Sequence, residues 1–338
     1  NILEHGVKID FHTSPKPFKV SPLLVADRDV EFALSDLAKG DRLGAYQPLL
    51  PGGKDFLSRS RIDTRPGSGK QRVVHNYRRI NEFVAKRTCR YENVKDLPQL
   101  LRPGDWMLSL DVSGAFWHIP LHASTAHFLS FHFALPEFVV TADGSRRAVP
   151  LQPGGYWVQP PRGLRYQVVE RSCRATPFGF TNSPFVWTKV IKVLAKAMRR
   201  AGIRCLWFVD DALLALPSKA AACAARTLVE EMFVRSGLTR APDKGVWQPT
   251  RVLPDHLGFE ISTVGPRGHF KVPVRRCLEL SRGAKDLLCR AGRDARFVPS
   301  ELLRTFIGRA ASITHACAQA RFRLRSLHTV AELWDERS

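Results

Sequence analysis

Acidic residues are scarce in this chain: 31 Asp and Glu stand against 52 Lys and Arg over 338 residues, a formal charge of +21 with a pI near 10.2. On a foldable chain such an excess argues for a polyanionic partner, nucleic acid first, although a merely soluble basic protein shows it too. No apolar run approaches the about 18 residues that span a bilayer, so no membrane partner is expected. The start combines no basic stretch with an apolar one, as a secretory leader would. The first residue is Asn rather than Met, and a piece of a longer polyprotein is expected.

Cysteine pairing is equally thin. Cys89, Cys173, Cys205, Cys223, Cys277, Cys289 and Cys317 include no C-x-x-C pair, which supports neither a zinc ribbon nor a disulfide scaffold. They read as reduced thiols of an intracellular protein, cytoplasmic or nuclear. Internal repeats and low-complexity tracts are absent. With 44% hydrophobic and 25% charged residues, wholesale disorder is excluded, and the length suits two or three domains.

Residues 1–60 are weakly periodic. A turn, Arg65-Pro66-Gly67-Ser68-Gly69, then joins two expected strands, the second over Lys70 to Val74. Trp106 to Leu110 reads as a strand ending in Asp111. Residues 138–174, rich in Pro, Gly and Arg, read as an irregular insert of loops and short hairpins. Asn182 and Ser183 offer caps for a helix with Pro184 in its first turn, ended by Gly202. Ile203 to Val209 and Ala212 to Leu216 form an apolar hairpin around Asp210-Asp211. Ser218 caps the next helix, which Gly237 ends. Between residues 265 and 330 there are 14 Lys and Arg against 4 Asp and Glu, a net of +10 on a mostly helical module with Leu302, Leu303, Phe306, Ile307 and Ala310 on one stripe.

The chemistry concentrates at carboxylates. Adjacent Asp210 and Asp211 beside an apolar strand are costly unless a cation or donor compensates, although a solvent-exposed acidic turn explains the pair alone. Asp111 ends a second apolar strand. Three converging carboxylates repel one another and suit hard divalent cations, and two Mg2+ ions about 3.5–4 Å apart can activate a 3′-hydroxyl and steady leaving pyrophosphate. Lys70 and Arg72 after the Gly-rich turn, with Arg65 before it, can clamp triphosphate oxygens, although in isolation they read better as a solvated basic hairpin. Gly179, just before a helix, allows close backbone approach to a flat ligand such as a base pair, although read alone it is only a helix entry. Lys244 alone reads as a surface lysine.

In this order the pieces resemble a reverse transcriptase over residues 60–260. Lys70-Gln71-Arg72-Val73-Val74-His75-Asn76-Tyr77-Arg78-Arg79-Ile80-Asn81 is similar to the family's fingers segment, and Leu110-Asp111-Val112-Ser113-Gly114-Ala115-Phe116-Trp117-His118-Ile119-Pro120 to its first catalytic motif. Pro177-Phe178-Gly179-Phe180-Thr181-Asn182-Ser183-Pro184 resembles the segment supporting template and nucleotide. Phe208-Val209-Asp210-Asp211 resembles the aromatic-x-Asp-Asp hairpin, and Leu257-Gly258-Phe259-Glu260 the primer grip. Phe185 to Lys189, with Arg200-Ala201-Gly202-Ile203, is most similar to DIRS-type retrotransposons, which carry a tyrosine recombinase elsewhere. Long-terminal-repeat elements and pararetroviruses remain close alternatives.

The resemblance implies an α+β right-hand polymerase: an N-terminal extension over 1–60, fingers and ferredoxin-like palm over 61–260 with the 138–174 insert, and a basic helical thumb or connection-like module over 261–338. It implies RNA-directed DNA synthesis from dNTPs on an RNA template and DNA primer, through an RNA–DNA hybrid. Asp111, Asp210 and Asp211 would be catalytic and bind two Mg2+ ions (Mn2+ as the alternative), with the Val112 carbonyl as a further ligand. Arg65, Lys70 and Arg72 would contact the triphosphate, Phe116 would lie under the sugar, Phe178 beside the nucleotide, and Lys244 would protonate pyrophosphate. Two departures stand out: Phe208 where the family usually has Tyr, and Phe178 where retroviral enzymes carry Gln. The rival expectations are an inactive nucleic-acid-binding remnant of such an element, an RNA-templated RNA polymerase, and a metal-dependent nuclease.

Overall fold

The computed structural model describes residues 2–64, 69–141, 143–293, 298 and 300–335. Helices and sheets mix as an α+β chain should, and they fall into two compact units, Asn1–Arg90 with Gly114–Lys192 and Tyr91–Ser113 with Val193–Ser338.

In the first unit a six-stranded sheet runs in the order Tyr46–Pro48, Tyr166–Cys173, Ser130–Pro136, Leu57–Thr64, Gln71–His75, with Gly155–Val158 also paired to Tyr166–Cys173. Leu57–Thr64 and Ser130–Pro136 are parallel and the other pairs antiparallel. Residues 1–60 contribute to this core. Val30, Ala33 and Leu37 form a helical stripe on Val30–Arg42 and join Phe131, Phe133, Leu135, Val169 and Cys173.

The irregular reading of residues 138–174 is corrected over Tyr166–Cys173, a strand paired along both edges. Its Arg171 looks like loop composition but is 4% exposed, its guanidinium paired with Asp41 at 3.3 Å. The short hairpins do form: Phe138–Val140 pairs with Arg146–Ala148. The capping expectation at Asn182 and Ser183 also changes. The Asn182 side chain accepts from the Arg87 N–H at 3.0 Å and donates to the Ala85 carbonyl at 3.1 Å, and the Ser183 hydroxyl donates to the Pro177 carbonyl at 2.7 Å. The two Asn182 bonds tie the start of the helix to residues 85–87, far away in sequence.

In the second unit Asp211–Leu216 is the central strand, between Arg204–Phe208 and Trp106–Asp111. Met107, Leu206, Leu213 and Ala215 enter a core with Leu253, Phe259 and Ile261 of a second sheet, Val252–His256, Phe259–Ser262 and His269–Lys271. The helix Lys219–Ser236 packs on the first sheet. Ser218 Oγ accepts from the Ala221 N–H at 3.1 Å, and Gly237 closes the helix in the left-handed region at φ 68°. Helices Val274–Arg293, Ser300–Ala311 and Ala318–Asp335 follow. Among the described residues no helix is long and apolar enough to cross a membrane.

Candidate active site

Strand register brings the acids together. Asp211 is the cross-strand partner of Asp111, as Leu213 is of Ser109 and Ala215 of Met107. Partners share a face, and alternation puts both carboxylates at the end of the face that Met107 and Leu213 bury. Phe208 pairs with Asp211, leaving Val209 and Asp210 as a two-residue turn. Val209 sits at φ 55°, where turns normally take Gly or Asn and a β-branched residue is strained. The turn is tied to the Asp111 strand, because the Val112 N–H donates to the Asp210 carbonyl at 2.9 Å. One carboxylate oxygen from each of Asp111, Asp210 and Asp211 lies within 4.8 Å of the other two.

The structure adds Lys244 to this group. Its Nζ donates to Asp111 Oδ1 at 2.8 Å. Residues 239–250 run antiparallel to the free edge of the Asp111 strand. Ser113 N–H donates to the Thr239 carbonyl, Ala241 N–H to the Asp111 carbonyl, Ser109 N–H to the Val246 carbonyl, and Met107 and Thr250 exchange both bonds. Two residues that sequence reasoning missed hold the segment close. Ser109 Oγ accepts from the Val246 N–H at 2.8 Å. Gly245, at φ 72°, lies so near that a Cβ there would stand 2.4 Å from the Ser109 carbonyl oxygen. The available signal was a serine inside an otherwise apolar strand and a glycine after Pro242-Asp243-Lys244.

Electrostatics follow from this crowding. Burial first, and then the charges of Asp210 and Asp111, push the Asp211 carboxyl up to about 7, against the opposing pull of Lys244. For Lys244, burial favours the neutral amine, but the bond to Asp111 and the three carboxylate charges outweigh it and raise the ammonium's pKa. One lysine does not neutralise three carboxylates. A compact set of carboxylate oxygens with residual negative charge fits a hard divalent cation.

The remaining expected residues belong to the first unit. Phe116 is buried, its ring centroid 4.8 Å from that of Phe178, which is about half exposed. Thr176 Oγ1 donates to the Phe116 carbonyl at 2.8 Å. Gly179, at φ 94°, does allow a close approach, but the approaching group is the chain itself: a Cβ would meet the His75 carbonyl oxygen at 2.5 Å. Lys70 and Arg72 are exposed at the start of Gln71–His75, with Arg72 opposite Asp63. Arg65 lies outside the described residues. In the second unit, the primer-grip-like hairpin Val252–His256 with Phe259–Ser262 is pinned by Arg276, whose Nη1 donates to the Gly258 carbonyl at 2.8 Å.

Comparison with known proteins agrees with this arrangement. The family profile "Reverse transcriptase (RNA-dependent DNA polymerase)" matches residues 62–261. Protein P of hepatitis B virus genotype C is 27% identical over 213 residues, covering 55% of this chain and 25% of that protein. Protein P of genotype G is 26% identical over 211 residues with the same coverage. Among solved structures, a foamy viral protease-reverse transcriptase in complex with ds DNA superposes with a TM-score of 0.60 at 16% identity, covering 89% of this chain and 43% of that one. Another, in complex with RNA/DNA hybrid, gives 0.60 at 14% identity, covering 89% and 32%. The α+β fold of a right-hand polymerase is thus shared. The chain spans about a quarter of the length of the curated relatives it matches. Because the profile covers well over half of the sequence, from the first strand hairpin to the primer-grip-like hairpin, the chain belongs to the reverse transcriptase family, a family of nucleotidyltransferases.

Proposed function

We propose that this chain carries out RNA-directed DNA synthesis, extending a DNA primer on an RNA template with dNTPs. The observation that carries the reading is the convergence of Asp111, Asp210 and Asp211 within 4.8 Å, with Lys244 bonded to Asp111. These carboxylates, with the Val112 carbonyl, would hold two Mg2+ ions or their Mn2+ substitutes. When bound, such ions lower the pKa of an attacking hydroxyl and stabilise charge on the leaving phosphates. Lys244 would hold a proton at Nζ for the departing pyrophosphate. Arg65, Lys70 and Arg72 would bind the triphosphate, Phe116 would bar a 2′-hydroxyl, and Phe178 would lie beside the nucleotide. Residues 61–260 would carry fingers and palm, residues 1–60 an extension, and 261–338 a basic thumb that tracks the phosphate backbone. The ds DNA and RNA/DNA hybrid held by the foamy viral proteins support nucleic-acid duplexes as partners.

A retrotransposon of the DIRS type is the proposed source, supported by Phe185 to Lys189 and Arg200 to Ile203. The polyprotein context would then include a tyrosine recombinase in the same element, and sequencing the flanking DNA tests that directly. For the activity, the test is extension of a DNA primer on an RNA template. Full-length product with Mg2+ and none in chelator supports the reading, and no extension under either condition contradicts it.

A further inference from the structure

We propose that the Lys244 ammonium competes with the divalent cation for Asp111, so that metal loading releases the lysine. The proposal rests on the metal-binding reading of the triad. Its basis is one shared carboxylate: Asp111 accepts from Lys244 Nζ at 2.8 Å through Oδ1, and Asp111 is also the acid that faces Asp211 across the sheet and converges with it and Asp210. A divalent ion held by Asp111 would repel an ammonium hydrogen-bonded to the same carboxylate.

The lysine's backbone keeps it at the site. The Ala241 N–H bonds the Asp111 carbonyl at 2.8 Å, the Val246 N–H bonds Ser109 Oγ at 2.8 Å, and Gly245 lies against the Ser109 carbonyl. The side chain has room to turn away, being 46% exposed while the Asp111 side chain is 10% exposed. Lys244 is therefore a tethered counter-ion with a mobile head. While it is paired, it relieves repulsion among three carboxylates. Once a divalent ion takes over that role, the ammonium is free to face the phosphates that the same ion binds. Removing the lysine's charge should make the chain less stable without divalent ions and more avid for them, which is the linkage of two cations to one site.

The test uses Mn2+ as the probe, with affinity from calorimetry and thermal unfolding in chelator. Lys244→Met keeps the apolar stem and removes the charge. It should bind Mn2+ about two- to fivefold more tightly, the fold-change expected for losing one partly exposed ion pair, and unfold at a lower temperature in chelator. Lys244→Arg should stay near wild type in both. Lys244→Gln repeats the test should the Met variant not fold. Mn2+ affinity unchanged or weakened in the uncharged variants overturns the competition, since a merely structural lysine would cost stability without tightening metal binding. Failure of wild type and variants alike to bind Mn2+ overturns instead the metal reading on which the proposal rests.

Discussion

At neutral pH the Asp211 carboxyl, pushed up to about 7 by burial and by Asp210 and Asp111, holds a proton part of the time in the folded chain, which an unfolded aspartate with a pKa near 3.8 has lost. The folded state therefore binds more protons between those two values, and stability falls as pH rises through that window. Asp211→Asn, which mimics the protonated acid, should flatten that fall in chelator and be the more stable protein at pH 8. Thermal melts across pH 4–8 check it, and parallel wild-type and variant curves would contradict it. Phe116 offers a second test at this scale. Buried against the half-exposed Phe178, it is both a packing residue and the proposed barrier to a 2′-hydroxyl. Phe116→Val should lower the ratio of kcat/KM for a dNTP to that for its rNTP by about 10- to 100-fold. An unchanged ratio, with stability alone reduced, would leave Phe116 as packing only.

Among the elements, the segment 239–250 matters most, because it brings Lys244 to Asp111. Gly245→Ala combines a left-handed backbone with a Cβ 2.4 Å from the Ser109 carbonyl oxygen. It should cost about 2–4 kcal/mol of stability and reduce extension as the lysine is displaced. Denaturant unfolding measures the first effect, and a loss under about 1 kcal/mol would show the segment to be loosely held. This close approach was not legible in the sequence, because it joins residues far apart in the chain. What was legible was local. The Asp-Asp hairpin stands out by two apolar runs around two acids, and the helix Lys219–Ser236 by its serine cap and closing glycine. The strand Tyr166–Cys173 was hidden because Arg171 is neutralised by Asp41, which no local pattern reveals. Residues 1–60 concealed their part in the core for a related reason: only Val30–Arg42 carries a clear helical stripe, and Ile9, Phe18, Val25, Tyr46 and Phe56 are buried by partners elsewhere in the chain.

Over the whole molecule, the excess of basic residues is where composition and function meet. Arg282, Lys285 and Arg290 lie exposed on the helix Val274–Arg293, within the segment of net +10. If that helix tracks phosphates, replacing all three by Gln should reduce the slope of log affinity for an RNA–DNA hybrid against log salt by about two to three, at about 0.7–0.9 for each phosphate that is no longer neutralised. An unchanged slope would mean that these cations face solvent. We propose that the three acids perform nucleotidyl transfer. Extension of a DNA primer on an RNA template by wild type and by Asp210→Asn, with hybrid affinity measured in parallel, tests it most directly. The variant should bind the hybrid within about twofold of wild type and extend the primer at least about 100-fold more slowly, because charge stabilisation by bound metal supplies several kcal/mol at the transition state. Extension by Asp210→Asn at the wild-type rate would contradict it.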